Sequence, residues 1–100
     1  MADYYLVELA CGPAWDRSRA RREQAGWDEH AAFMDSLAED GFIVMGGPTG
    51  TGEDDNTFHV VDAPDEETIR ARLAEDPWSG SMLTVHSIRR WSVWLRAGGG

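Results

Sequence analysis

One hundred residues, 42% of them hydrophobic and five of them tryptophan, suffice for one globular domain that buries roughly two-thirds of the surface its unfolded chain exposes. The formal charge of -9 and a pI near 4.5 argue against a generic nucleic-acid or anionic-membrane binder, because counterion release needs a basic surface. Cys11 is the only cysteine, so no intrachain disulfide can form and a reducing cytoplasm is the expected setting.

The opening "MADYYLVELACG" has no basic leader and too short an apolar run for a signal peptide or a membrane span. Tyr4 to Ala10 is rich in aromatic and branched residues and ends at "CGP", which predicts a strand and a turn. Residues 14–26, "AWDRSRARREQAG", are basic and lack an apolar stripe; they predict a long loop or short exposed helix, long enough to cover a site.

A helix is predicted from about Trp27 to Asp40. At 3.6 residues per turn Trp27, His30, Ala31, Phe33, Met34, Leu37 and Ala38 form one stripe, opposite Asp28, Glu29, Asp35, Ser36 and Glu39. Gly41 supplies a left-handed C-terminal cap. His30 therefore points inward, where an unpaired imidazole would cost roughly 1 to 3 kcal/mol unless it meets a partner or a cleft.

Phe42 to Met45 predicts a short strand, "GGPTGTGEDDN" a hairpin loop, and "TFHVVD" from Thr57 to Asp62 the strand that pairs back. In "APDEETIRARLAEDP" Pro64 suits a first helical position, acids fill the first turn, and Ile69 and Leu73 share a face, which predicts a second helix. Met82 to Leu95 predicts a long last strand, bent near Arg89 and Arg90. Residues 1–96 then make one domain, with 97–100 as a flexible tail.

The order βαββαβ predicts an α+β, ferredoxin-like sandwich: an antiparallel sheet with two helices on one face. The strands do not alternate cleanly, so the opposite face is expected to be apolar as well, covered by the sheet of a second copy in a homodimer.

The residues also resemble a known family, the YciI-like or YCII-related proteins of the dimeric α/β-barrel superfamily. The resemblance rests on "DEHAAFMDSLAEDGFIVMGGP", "HVVDAPDEETIRARLAEDPW" and "VHSIRRW", and most specifically on His30, "GGP" at 46–48 and "DPW" at 76–78 in that order. It implies a dimer with a site built around a histidine and an aspartate, carried here onto His30 and Asp76. A relative is known as a dehydrochlorinase acting on a chlorinated hydroxyquinol, and cousins include muconolactone isomerases. The basic insert departs from the shorter family pattern.

Two helices side by side on one sheet could bring His30 to Asp76, which precedes Pro77 and is thereby biased to extended backbone. A carboxylate beside an imidazole fixes its tautomer and supports its charged form, as a proton shuttle requires. The bland alternative is a hydrogen bond that only ties two helices together. Around this pair, Arg17 and Arg21 are candidate clamps for a substrate carboxylate, with Trp15 or Trp27 as an aromatic wall and Pro48 and Trp78 as further binding residues.

Other patterns are weaker. His59 and His86 could join His30 in a metal site, but no ligand spacing demands it, and solvent-facing strand histidines are ordinary. "GGPTGTG" leads into acids instead of a helix N-terminus, so it does not read as a phosphate loop, and "EDDN" lacks calcium-loop spacing. The expected function is that of a small cofactor-free, metal-free enzyme performing acid/base elimination or isomerisation on a small, aromatic or carboxylated metabolite. The alternative is a non-catalytic dimeric module that binds a small molecule, and a cavity of ~300 Å³ or more at His30 would favour a ligand site. No nucleic-acid or membrane partner is expected.

Overall fold

Alternation along the first strand determines how the layers form. In β1 (Ala2–Cys11), Val7 and Leu9 are buried on one face of the sheet, and β3 (Thr57–Val61) buries Thr57, His59 and Val61 on the same face. The computed structural model describes residues 2–98, so residues 99 and 100 of the expected tail lie outside the described residues. With β2 (Ile43–Pro48) and β4 (Leu83–Val93), the strands form one sheet in the order β2-β3-β1-β4, every neighbouring pair antiparallel.

Helices α1 (Trp27–Glu39) and α2 (Glu66–Leu73) cover that face. Leu37 from α1 and Ile69 and Leu73 from α2 join Val7, Leu9, Phe42, Ile43, Val61 and Leu83 in one buried core. This is the ferredoxin-like α+β arrangement expected from the sequence. The sheet of one chain is open and does not itself close a barrel.

The end of α1 follows from Gly41, whose φ of +79° lets the chain turn back. Gly41 N–H donates to Ala38 O and Phe42 N–H to Leu37 O, the paired bonds of a Schellman cap, and the side chains of Phe42 and Leu37 enter the same core.

Some local expectations need correcting. Pro64 does not open α2; Asp65 is the cap, its carboxylate accepting from Thr68 N–H at 2.7 Å, and the helix begins at Glu66. Strand β2 runs on through "GGP" to Pro48, because Gly46, Gly47 and Pro48 pair with His59, Phe58 and Thr57. Strand β4 is continuous through Arg89 and Arg90. Its irregularity lies at His86, the extra residue between Val85 and Ser87, which face Leu9 and Glu8. That bulge changes which residues face the helices, from Leu83 and Val85 before it to Ile88 after it. Ala38, expected on the inner stripe of α1, is exposed at the end of the helix.

Among the described residues no helix covers the other face of the sheet. Tyr4, Val60, Trp91 and Val93 line a shallow hollow of about 320 Å³ there together with Val44, Met45 and Leu95, and Met45 is 66% and Leu95 92% exposed. No helix among the described residues is long and apolar enough to cross a membrane.

Candidate functional site

His30 lies one turn into α1 on its inner face, and burial leaves only 7% of it exposed. The sequence after α2 reaches it from the other helix. "EDPW" closes α2 with a tight turn in which Asp76 N–H donates to Leu73 O and Ser79 N–H to Asp76 O. The Asp76 Oδ1 atom accepts from Trp78 N–H at 2.9 Å, a local bond that holds the carboxylate in place. Both carboxylate oxygens lie within hydrogen-bond reach of His30 Nδ1, at 2.9 and 2.8 Å.

Trp78 then fixes the plane of the imidazole. Its ring stacks on His30 with centroids 4.0 Å apart and planes 10° from parallel, while its Nε1–H donates to Ala25 O at 2.7 Å. Trp15 meets Trp78 edge-on at 5.7 Å, and Trp27 lies 5.8 Å from both Trp78 and His30. With Nδ1 engaged by Asp76, Nε2 is the ring atom left to meet a ligand. That arrangement holds one imidazole in a fixed position beside a carboxylate.

His30 opens on a cavity of about 130 Å³ lined by Arg21, Trp27, Met34, Gly47, Pro48, Thr57, His59 and Leu83. The cavity is smaller than the ~300 Å³ typical of pockets for drug-sized ligands. The insert contributes one residue to its wall, Arg21. Trp15 and Gln24 are buried, and a 3-10 turn at Arg21–Glu23 packs the segment down over the site. A larger hollow of about 340 Å³ beside Asp62 and Arg72 contains no histidine and is bordered by the Arg72–Asp40 ion pair.

Of the sequence-selected binding residues, Trp27, Pro48 and Arg21 line the cavity, and Trp78 backs the imidazole. Arg21 is buried, and three of the five N–H groups of its guanidinium are engaged. Its Nε donates to Gly52 O at 2.7 Å, and its Nη2 to Glu53 O and Asp55 O at 3.0 and 2.9 Å; the group also lies 4.8 Å over the Trp15 ring. Arg21 thus clasps the 49–56 loop to the insert, a bond that Trp15 Nε1–H reinforces by donating to Asp54 Oδ1 at 2.9 Å. Arg17 lies outside the cavity, exposed and 3.7 Å from Asp54.

Two further residues line the cavity, Thr57, which the sequence placed only at a strand end, and His59, weighed there as a metal ligand. Thr57 and His59 sit two apart on β3, and both are buried on the helix side of the sheet. Thr57 Oγ1 and His59 Nδ1 are the buried side-chain polar atoms without a partner among the described residues. The signal was present in "TFHVV": with Val61 in the core, strict alternation puts Thr57 and His59 on the same side. Gly46, opposite His59 on β2, has no side chain because a Cβ there would collide with the His59 ring. His86, by contrast, is exposed on β4, and no group of three or more His, Cys, Asp or Glu is placed to hold a metal among the described residues. Burial lifts the Cys11 thiol above its ordinary range, so the lone cysteine is a weak nucleophile.

Burial, with a smaller contribution from neighbouring His30, depresses the His59 pKa from 6.5 to about 4. In the unfolded chain the ring takes its proton near pH 6.5. Between those values the unfolded chain binds a proton that the folded chain does not. The stability tied to His59 is therefore intact above pH 6.5 and is lost as pH falls toward 4. Urea denaturation at pH 7 and pH 4.5 should show the wild type losing about 2 kcal/mol more than His59→Leu over that interval. Equal losses would contradict a buried neutral His59.

A family model for the YCII-related domain matches residues 9–92, a span that includes His30, "GGP" and "DPW". No curated protein and no solved structure matches the chain. The match covers most of the sequence and all the elements that build the histidine–aspartate site, and the chain belongs to the YCII-related domain family.

Proposed function

We propose that the protein is a small cofactor-independent enzyme in which His30 is the general acid or base and Asp76 its orienting partner. The observation that carries this reading is the buried His30 Nδ1 to Asp76 contact at 2.8 Å, beside a cavity that His30 itself lines. A C–H proton of the ligand passes to His30 Nε2, and the resulting imidazolium is met by the Asp76 carboxylate. The electron pair left on carbon forms a double bond as a leaving group departs, or the proton returns at another carbon. The first outcome is elimination and the second isomerisation. A module that only stores a ligand would need neither a carboxylate on the far nitrogen nor a stacked tryptophan to hold the ring plane.

Proton transfer of this kind contributes about 100 to 10,000-fold. Incubation in D2O with small hydroxylated rings, aromatic acids and lactones, followed by proton NMR, should show C–H exchange or turnover. His30→Gln should lose it by about 100-fold or more, and Asp76→Asn should fall in the same direction. Equal rates in wild type and His30→Gln would overturn the assignment.

The same reading places the enzyme in a reducing cytoplasm, as a homodimer joined through the uncovered sheet face. The support is the contiguous apolar surface around Trp91, Tyr4, Val60 and Met45 on the sheet face that the two helices leave uncovered. Sedimentation should give twice the 11.1 kDa chain mass, and Trp91→Glu should return it to 11.1 kDa. A wild-type chain that sediments as a monomer would contradict the dimer.

A further inference from the structure

Arg21 is only 8% exposed, yet its guanidinium forms no ion pair among the described residues. The acids near it are committed elsewhere. Glu53 Oε2 accepts from the Arg21 backbone N–H at 2.7 Å, Asp54 Oδ1 from Trp15 Nε1–H at 2.9 Å, and Asp55 Oδ2 from Thr51 N–H at 2.8 Å. Burial lowers the pKa of the guanidinium, and the nearby Cys11, Glu53, Asp54 and Asp55 offset only part of that effect. Apart from loop carbonyls, its company is the face of Trp15 at 4.8 Å. A buried charge without a counter-charge is costly.

One nitrogen of that cation is uncommitted. Nε donates to Gly52 O and Nη2 to Glu53 O and Asp55 O, while Nη1 has no partner. The fully enclosed side-chain polar atoms without a partner are Thr57 Oγ1 and His59 Nδ1, so Nη1 keeps accessible surface. Arg21 is a wall residue of the cavity that His30 lines. At about 130 Å³ that cavity is close to the ~150 Å³ that holds one benzene, so a ligand reaching His30 fills it and meets the other walls.

We propose that Arg21 Nη1 holds the single ligand oxygen on which negative charge collects, which makes the substrate a small carbonyl compound with a C–H beside its carbonyl carbon. The proposal deepens the enzymatic reading and rests on it for His30 as the base. When His30 Nε2 takes that proton, the C–H electron pair forms a carbon–carbon double bond and the C=O π pair moves to oxygen, giving an enolate. The enolate oxygen accepts from Nη1–H, and the guanidinium keeps its own protons. The carbonyl then re-forms: the double-bond pair takes the proton back from His30 at another carbon of a conjugated chain, or expels a β leaving group with its bonding electrons.

The geometry favours one oxygen over a carboxylate. Arginine grips a carboxylate with a two-nitrogen fork, Nη1 with Nη2 or Nε with Nη2. Both forks include Nη2, whose two hydrogens are taken by Glu53 O and Asp55 O. The proposed contact therefore differs from the carboxylate clamp expected of Arg21 from the sequence.

Calorimetry with three small ligands tests this: cyclopentane-1,3-dione, which is an enolate at neutral pH, neutral cyclopentanone, and cyclobutanecarboxylate. Wild type should bind the enolate about tenfold more tightly than cyclopentanone, the gain of one charge-assisted hydrogen bond, and more tightly than the carboxylate. The preference should survive in His30→Gln and vanish in Arg21→Met. Because Arg21→Met also releases the 49–56 loop, nitrogen-15 NMR of arginine-labelled wild type gives a second readout. The Arg21 guanidinium signals should shift with the enolate and stay in place with cyclopentanone. No enolate binding, equal binding of enolate and ketone, tighter binding of the carboxylate, a preference that follows His30 instead of Arg21, or unmoved Arg21 signals would each overturn the proposal. A His30 that transfers no proton would leave these equilibrium results unchanged, so the two ideas fail separately.

Discussion

The buried hydrogen bond between His30 and Asp76 is the constraint that organises this molecule around a site. It joins residues 46 apart in sequence, one from the first turn of α1 and one from the turn that ends α2. Taking an imidazole and a carboxylate out of water together is tolerable only if their geometry is good and their remaining atoms are satisfied. Trp78 supplies both conditions: its backbone N–H holds the carboxylate, and its ring lies flat on the imidazole. The "DPW" turn therefore contributes three consecutive residues to one task, with Pro77 biasing Asp76 away from further helix.

The basic insert has a different role from the one its composition suggests. Four arginines in residues 14–26 look like a surface for anions, yet the one that reaches the site spends its guanidinium on main-chain oxygens of the 49–56 loop. Arginine suits this because its planar fork presents several donors at once. Trp15 completes the clasp by donating to Asp54, while Gln24 braces the insert itself by donating to Asp16 O and Arg19 O. The result is a small cavity with largely apolar walls beside the imidazole.

Most of the fold was legible because each element carried a local signal that agreed with the global one. The inner stripe of α1 placed His30 toward the sheet, and Gly41 ended the helix where the Schellman bonds form. The strands were located by branched and aromatic runs, and their order gave the sheet. What escaped was set by contacts distant in sequence. The bulge at His86 depends on pairing with Glu8 and Leu9, and the extension of β2 through Pro48 depends on β3. Asp65 outcompeted Pro64 for the helix start because its side chain caps Thr68 N–H.

The site was legible to the same degree. His30 could be found from periodicity, Asp76 from the family pattern and the shared side of Thr57 and His59 from alternation, but the commitment of Arg21 to the 49–56 loop requires the tertiary structure. Because a carboxylate only accepts, the hydrogen bond to Asp76 calls for a proton on His30 Nδ1, which leaves Nε2 free to accept one in the proposed reaction. Nitrogen-15 NMR of ring-labelled protein above the titration range measures this directly. A His30 Nδ1 in the protonated, pyrrole-like range and an Nε2 in the unprotonated range is the predicted result, with the pattern lost in Asp76→Ala. A proton on Nε2, or an even mixture of tautomers in the wild type, would contradict it.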